Sequence, residues 1–433
     1  MFMFKKILSV ALAYVGIIVG AGLSSGQDLM QYFVSFGLVG LLGVLVLAVL
    51  NAFFGKIILT LGSYYRSNDH SEVLSKIAHP ITNKILDLSL IISCFVIGFV
   101  MIAGAGSNLH QQFGFPIWIG ALICTALVII VSFMDFEKIT NIIGIFTPII
   151  IIMILIIAGQ TFIGKSYNLN HLDMVARQLT PAMPNIWMAV INYFALCVMT
   201  GVSMAFVLGG SIMRIGVAKK SGTIGGAIVG LIIAVASLVL FANVDSIKGV
   251  DIPMLILANR VHPLFAFTYA IVIFGLIFNT AFSLFYALAK RFSGDNVKKF
   301  RIYLITSVII GFILSFMGFK ELVGLMYPIL GYIGMIMLFV LTVAWMRDKQ
   351  NINEEMNLRR QMITLINKKF HPKKVYSKKD KEKYNALGEE SIIQTSELKK
   401  IYMTLWKMKT AKITVKKVQT GIVWAFYFLK LSL

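Results

Sequence analysis

Nine stretches of this chain carry no Lys, Arg, Asp or Glu: residues 7–27, 29–55, 88–134, 139–164, 178–213, 221–244, 261–289, 302–319 and 322–346. A helix needs about 20 apolar residues to cross a hydrocarbon core about 30 Å thick. Inside that core every backbone N–H and C=O must be bonded within the segment itself, so uncharged runs of this length read as spanning helices. Composition agrees: 58% of the 433 residues are apolar and 14% charged, against roughly 45–50% and about 25% in a soluble domain. These numbers exclude a soluble enzyme or a transcription factor. The run at 88–134 is twice a single span and contains the turn Gln111-Gln112-Phe113-Gly114-Phe115-Pro116, so it divides in two. Ten spans are expected, at about 7–35, 38–62, 86–110, 117–134, 139–163, 186–210, 221–243, 264–289, 302–319 and 321–346. The first continues through Asp28 toward the second with no small-residue cleavage site, so we expect it to be retained and not removed as a signal. Cys94, Cys124 and Cys197 each sit in an apolar run, and neither a disulfide framework nor a metal cluster is expected.

Orientation follows from the basic residues of the loops. With the N-terminus in the cytoplasm, the inner side of the ten-span region holds 15 Lys and Arg and the outer side 5. An even number of crossings puts both termini in the cytoplasm. The segment from Arg347 adds 20 more basic residues to the inner side. The net charge of +21 is therefore mostly positive-inside bias, and no nucleic-acid partner is implied.

Spans one to five (about 6–163) and six to ten (about 186–346) have nearly equal length. Five crossings per half make the second half enter from the opposite face, as in an inverted repeat. Both halves open with small residues inside an apolar helix: Val19-Gly20-Ala21-Gly22-Leu23-Ser24-Ser25-Gly26-Gln27-Asp28 in span one, Asn192-Tyr193 and Thr200-Gly201-Val202-Ser203 in span six. Each interior Gly weakens a helix by roughly 1 kcal/mol against Ala. Paired interruptions of this kind point to a midplane binding site; close helix packing through small residues is the other reading.

The stretch Tyr14–Gly37, YVGIIVGAGLSSGQDLMQYFVSFG, resembles the opening helix of YkvI-type bacterial membrane proteins in the amino acid-polyamine-organocation superfamily. There a GAG-(small)-GQE pattern precedes FF and FG; here Asp28 stands in place of Glu, and Leu23-Ser24 in place of Phe-Ala. Helix order and loop character extend the similarity to about residue 346. The resemblance implies an all-α integral membrane protein of LeuT-like fold, ten helices as a 5+5 inverted repeat. It also implies secondary transport of amino acids or similar small zwitterionic solutes across a bacterial plasma membrane.

If span one unwinds near Gly20–Gly22, a half-helix starting at Leu23 or Ser24 presents free amides and a positive dipole end to a substrate carboxylate. Carbonyls near Val19 would face an ammonium group or a sodium ion. The expected substrate-binding set is Gly20, Ala21, Gly22, Leu23, Ser24, Asn192, Tyr193 and Phe194, with Tyr and Phe as ordinary core and interface residues in the other reading. Asp28 is the acid placed deepest in an apolar helix, where insertion costs roughly 2.5–3.5 kcal/mol. Together with Gln27 it is the expected coupling or gating group, or alternatively a cap at the outer mouth. The resemblance carries a sodium site onto Val19, Gly20, Asn279 and Thr280; hard cations take oxygen ligands, though Thr280 can equally bond its own helix. Either Na+ or H+ would be the coupling ion, and no other cofactor is expected. His110 reads as interfacial. The Asp251–Pro263 segment reads as an external lid or a surface helix, and Pro328 as a bend in span ten.

Residues 347–433 hold 20 basic and 8 acidic residues and no spanning run. They read as a basic cytoplasmic tail, either solvated or held at anionic lipids through the eight lysines between Lys368 and Lys383. Val418–Leu429 is too short to span and fits an interfacial segment. No phosphate-binding P-loop pattern occurs, and no catalytic pair suggests an enzyme. The alternative to a transporter is a sensor or scaffold that binds without flux and signals through the tail. A passive channel would need a charged ring or a filter motif, and neither is visible.

Overall fold

The computed structural model describes residues 2–19, 21–66, 70–134, 145–294, 296–369 and 375–393. The first span consists of three helices, α1 (Phe2–Ile18), α2 (Ala21–Ser25) and α3 (Gln27–Tyr32), and a 3-10 turn at Val34–Phe36. Next come α4 (Leu38–Tyr65), the short α5 (His70–Ile77), α6 (Pro80–Phe113), α7 (Ile117–Val131) and α8 (Phe146–Phe162). The short α9 (Leu169–Ala176) leads to α10 (Ile186–Gly210) and α11 (Ile215–Ala242). Two more short helices, α12 (Val244–Ile247) and α13 (Pro253–Val261), precede α14 (Pro263–Ser293), α15 (Val297–Leu314), α16 (Phe319–Lys369) and α17 (Lys378–Glu390). Among the described residues there is no strand, and seven helices are long and apolar enough to cross a membrane. The apolar helices α7 and α8 are shorter.

Boundaries follow local chemistry. The long run at 88–134 does divide, because Gly114 at φ +71° ends α6 and Pro116, which cannot continue a helix, precedes α7. Side-chain oxygens of Asn185 and Asn296 cap α10 and α15 by accepting from the amides of Met188 and Lys299. Several helices overrun their charge-free stretches: α11 begins at Ile215 and includes Lys219 and Lys220. Charge marks the bilayer edge and does not stop a helix.

One bundle is formed by α1, α4, α10 and α11, and a second group by α6, α7, α14 and α15. The tightest crossing, α4 on α11, rests on Gly222, Gly226 and Gly230. An added Cβ at these positions would fall 2.1 Å from Gly55 O, 2.0 Å from Asn51 O and 2.4 Å from Ala48 Cα. A four-residue spacing of glycines lets two backbones touch, which is how helices gain packing contact where lipid is as apolar as Leu.

Two expectations change. Span six is not broken: α10 is continuous from Ile186 to Gly210. Its small residues serve packing, since a Cβ at Gly201 would lie 2.6 Å from Ile18 Cδ1 at the end of α1, and Thr200 bonds back to Cys197 O. In addition, the helix of span ten does not stop at 346. With no Gly or Pro between Met335 and His371, α16 runs on to Lys369 as one helix, so the expected start of the tail lies inside it. Gly20, Lys373, Lys374 and Val418–Leu429 lie outside the described residues.

Candidate functional site

The break in span one is double. α1 ends at Ile18 and α2 begins at Ala21, so Gly22 is helical and the second half-helix starts two to three residues ahead of the expected Leu23 or Ser24. Gly26, at φ +78°, then separates α2 from α3. Only Gly adopts that conformation without penalty, and a Cβ there would also meet Met254 Cγ at 2.8 Å. The second break was legible only as a third Gly in seven residues; its left-handed turn and its contact with α13 come from the fold.

The turn at Gly26 starts α3 with Gln27 and Asp28 in its first turn, both buried. The Gln27 amide donates to Ser25 Oγ at 3.2 Å, and the Leu29 amide donates to Asp28 Oδ1 at 2.9 Å. The other carboxylate oxygen, Oδ2, accepts the Tyr193 hydroxyl of α10 at 2.8 Å. Both partners are neutral donors. An acid that is 3% exposed in an apolar bundle is expensive to ionise, and such residues face partners or pathways.

Around this pair the helices are joined by polar side chains. Tyr32 donates to Asn192 Oδ1 at 2.9 Å, and Asn192 Nδ2 donates to Pro328 O at 2.9 Å, so α3, α10 and α16 share one chain of bonds. The Tyr193 ring packs 5.2 Å from both Tyr32 and Phe33, edge-on to the latter. Tyr269 of α14 donates to Ser24 O at 3.0 Å, so the fully buried ring of a helix in the second group reaches the carbonyl next to the break. Gln31 Nε2 donates to Lys320 O at 3.1 Å, and the Ala182 amide donates to Gln31 O at 2.9 Å. Sequence reading missed Tyr32, Gln31 and Tyr269; a hydroxyl or an amide in an apolar run was the only signal.

The expected residues are therefore only partly gathered. Asn192 and Tyr193 face α3. Phe194 turns the other way, its ring 5.1 Å from Phe54 of α4, because successive helical residues point about 100° apart. Leu23 and Ser24 are buried at the break, and Val19 closes the last turn of α1 through its amide to Val15 O. On α14, Thr280 donates to its own Leu276 O at 2.9 Å. Asn279 Oδ1 is buried with no partner among the described residues. Among those residues no group of three or more His, Cys, Asp or Glu comes together.

The end of the bundle that carries α9 and α13 is tied down by polar contacts. Gln111 grips Ile252 twice, accepting from its N–H at 3.1 Å and donating to its C=O at 2.8 Å, and Ser107 donates to Asp251 at 2.7 Å. These bonds seat α13 over Gly26. His110 stays exposed, its Nδ1 2.8 Å from Phe115 O. Asp173 of α9 accepts the Leu38 amide at 2.7 Å, capping α4 from a helix distant in sequence, and accepts Arg177 Nε at 2.8 Å. The Arg177 bond, helped by the Leu38 amide, holds the Asp173 carboxyl below the usual carboxylate range.

No protein-family model matches the chain. It is 24% identical over 330 residues to the membrane protein YkvI of Bacillus subtilis (strain 168), covering 75% of this chain and 92% of the relative. To the protein YyaD of the same organism it is 25% identical over 331 residues, covering 76% and 94%. Three solved structures share its fold. One is MhsT in complex with L-phenylalanine, with a TM-score of 0.53 and 14% identity, covering 88% of this chain and 95% of that one. A second is a manganese transporter of Eremococcus coleocola, H236A mutant, with a TM-score of 0.52 and 12% identity, covering 93% and 94%. The third is Mhp1 facing inward, with a TM-score of 0.50 and 14% identity, covering 76% and 73%. The chain is thus a multi-pass membrane protein related to YkvI and YyaD, with the LeuT-type fold.

Proposed function

We propose that this protein is an ion-coupled secondary transporter of amino acids or similar small zwitterionic solutes, working by alternating access in a plasma membrane. One observation carries the reading: a spanning helix breaks twice within an apolar bundle, between Ile18 and Ala21 and again at Gly26, and sets the buried Asp28 against Tyr193 of the unbroken α10. Broken helices in a bilayer leave backbone groups free only where they line a pathway, and their ends suit opposite charges: amides for a carboxylate, carbonyls for an ammonium or a cation. Ten crossings in two inverted sets of five, with both termini cytoplasmic, accommodate this arrangement and the 15-to-5 distribution of basic residues. The fold shared with MhsT supports a small solute as cargo.

Substrate contacts are assigned to the residues of the break, Gly20 to Ser24, and to Asn192 and Tyr193. Asp28, with Gln27 beside it, is assigned to coupling: its hydrogen bonds come from neutral groups that it can keep in either protonation state, which favours H+ over Na+. The sodium alternative rests on Val19, Gly20, Asn279 and Thr280, of which Asn279 offers an oxygen with no partner among the described residues.

The test is uptake of a labelled amino-acid panel into liposomes, with H+ and Na+ gradients imposed separately. Concentrative uptake that collapses with the H+ gradient supports the assignment. Binding without flux for every solute would replace it with the sensor reading.

A further inference from the structure

We infer that the cytoplasmic half of α16, together with α17, is a lock on the inner end of the bundle, closed in this structure and released when the inner side opens. The inference rests on the transporter reading for its consequence in flux, but its geometry is independent of any substrate.

Beyond residue 346, α16 buries a single stripe: Asp348, Ile352, Glu355, Arg359, Met362, Ile363 and Ile366. Steps of three and four residues place these on one helix face, and that face lies on the bundle. At its centre is Arg359, 1% exposed. Its Nε donates to Glu355 Oε1 at 2.6 Å, while Nη1 and Nη2 donate to Ser63 O at 2.7 Å and Tyr64 O at 2.8 Å. Those carbonyls belong to the last turn of α4, where no intrahelical partner follows and where the helix dipole favours a cation. The planar fork of Arg suits three acceptors at once. Glu355 in turn accepts the Ser391 hydroxyl at 2.8 Å and the Ile392 amide at 3.3 Å, so the segment after α17 is tied to the same pair. About 16 Å earlier along α16, Asp348 accepts the Tyr65 hydroxyl and Arg347, which also donates to Lys76 O.

Two further contacts extend the lock to α10 and α11. Met213, in the connection between them, packs with Met362, Ile363, Ile366, Tyr384, Leu387 and Ile393. Ser63 donates to Ile212 O of the same connection at 2.6 Å. The arm therefore holds the inner ends of α4, α10 and α11, and α10 carries Asn192 and Tyr193. Ile352 still packs with the main core, whereas beyond Arg359 the apolar contact is a small separate cluster, and the centre of the arm is a buried ion pair. Such a pair contributes little net stability against well-packed apolar residues while fixing one geometry. Few apolar contacts around a specific polar anchor describe an element that opens locally before the bundle does.

The test uses the full chain in liposomes, with Cys94, Cys124 and Cys197 replaced by Ala. Spin labels at Lys220→Cys and Gln361→Cys report the distance from the arm to the bundle. We expect Glu355→Gln and Arg359→Met to lengthen and broaden that distance, and Arg359→Lys to restore it only in part. A second design joins Met213→Cys to Met362→Cys with a short thiol cross-linker; this should lower uptake at least about tenfold, reversed by removing the linker or using a cleavable one, as expected when one state of a two-state element is trapped. Unchanged distances in both charge variants, or undiminished uptake after cross-linking, would overturn the lock. If the protein carries no flux in any form, the distance measurement still decides the lock, and the failure then belongs to the transporter reading alone.

Discussion

The hydroxyl of Tyr193 donates to Asp28 across 2.8 Å, joining α10 to the first turn of α3. A carboxylate that was only an acid in an apolar run thereby acquires a fixed partner in the second half of the chain. The ring that brings the hydroxyl there is itself wedged between Tyr32 and Phe33, so the partner cannot easily turn away.

Removing either side of the pair should separate folding from coupling. Tyr193→Phe leaves a buried acceptor short of one bond, a loss of about 1–3 kcal/mol visible as a lower melting temperature in detergent. Asp28→Asn keeps the shape and one acceptor for Tyr193, so it should insert and fold but lose uptake driven by an H+ gradient. A D28N variant that accumulates solute at the parental rate would take the carboxylate out of coupling.

The left-handed turn at Gly26 should tolerate no side chain. Gly26→Val brings a β-branched residue into φ +78°, which costs at least about 1–2 kcal/mol, and pushes its Cβ against Met254 and Leu240. We expect membrane insertion to persist and uptake to fall by an order of magnitude or more. Gly22→Leu, within the short α2 between the two breaks, is likewise expected to insert and to lose uptake; normal uptake by both inserted variants would remove the double break from the mechanism.

Asn192 should matter more for stability than its size suggests. It is fully buried and lies so close to Gly331 that a Cβ there would fall 2.1 Å from its Oδ1. Asn192→Ala leaves the Tyr32 hydroxyl without its acceptor, at about 1–3 kcal/mol, and removes the side-chain bond that joins α10 to the Pro328 carbonyl. Gly331→Ala should force the same amide aside. Both are expected to lower the thermal midpoint, and a double variant to lower it by less than the sum, because the two act on one contact.

Asp173 should give the α9–α4 contact a pH dependence. Its carboxyl is held below the ordinary value by Arg177 and the Leu38 amide, so it contributes stability above the unfolded carboxylate range near about pH 3.9. That contribution is present at neutral pH and is lost as pH falls through the lowered value. Melting curves followed from neutral pH into the acid range should fall less steeply for Asp173→Asn than for the parent. Equal slopes would show that the cap on α4 carries no linked proton.

Periodicity and charge by themselves determined much of this protein. Uncharged runs marked where the long helices lie, Gly114 and Pro116 divided the long run, and the cluster of glycines marked span one as interrupted, because backbone satisfaction in lipid and the cost of Gly are local effects. Asp28 was legible as costly, since a charge in hydrocarbon is costly wherever it sits. Tertiary structure decided the rest. Thr200-Gly201-Val202-Ser203 in α10 resembles the broken stretch of span one in composition, yet the space beside Gly201 is filled by Ile18 and the helix stays whole. Asn192, Tyr193 and Phe194 are adjacent in sequence and diverge in space. Arg359 counted only as one more basic residue of a tail, and became the buried anchor of α4 because α16 continues unbroken past its uncharged run and meets carbonyls nearly 300 residues away. Local pattern reports what each helix can be, whereas partners this distant in sequence are chosen by packing, which no single stretch of residues contains.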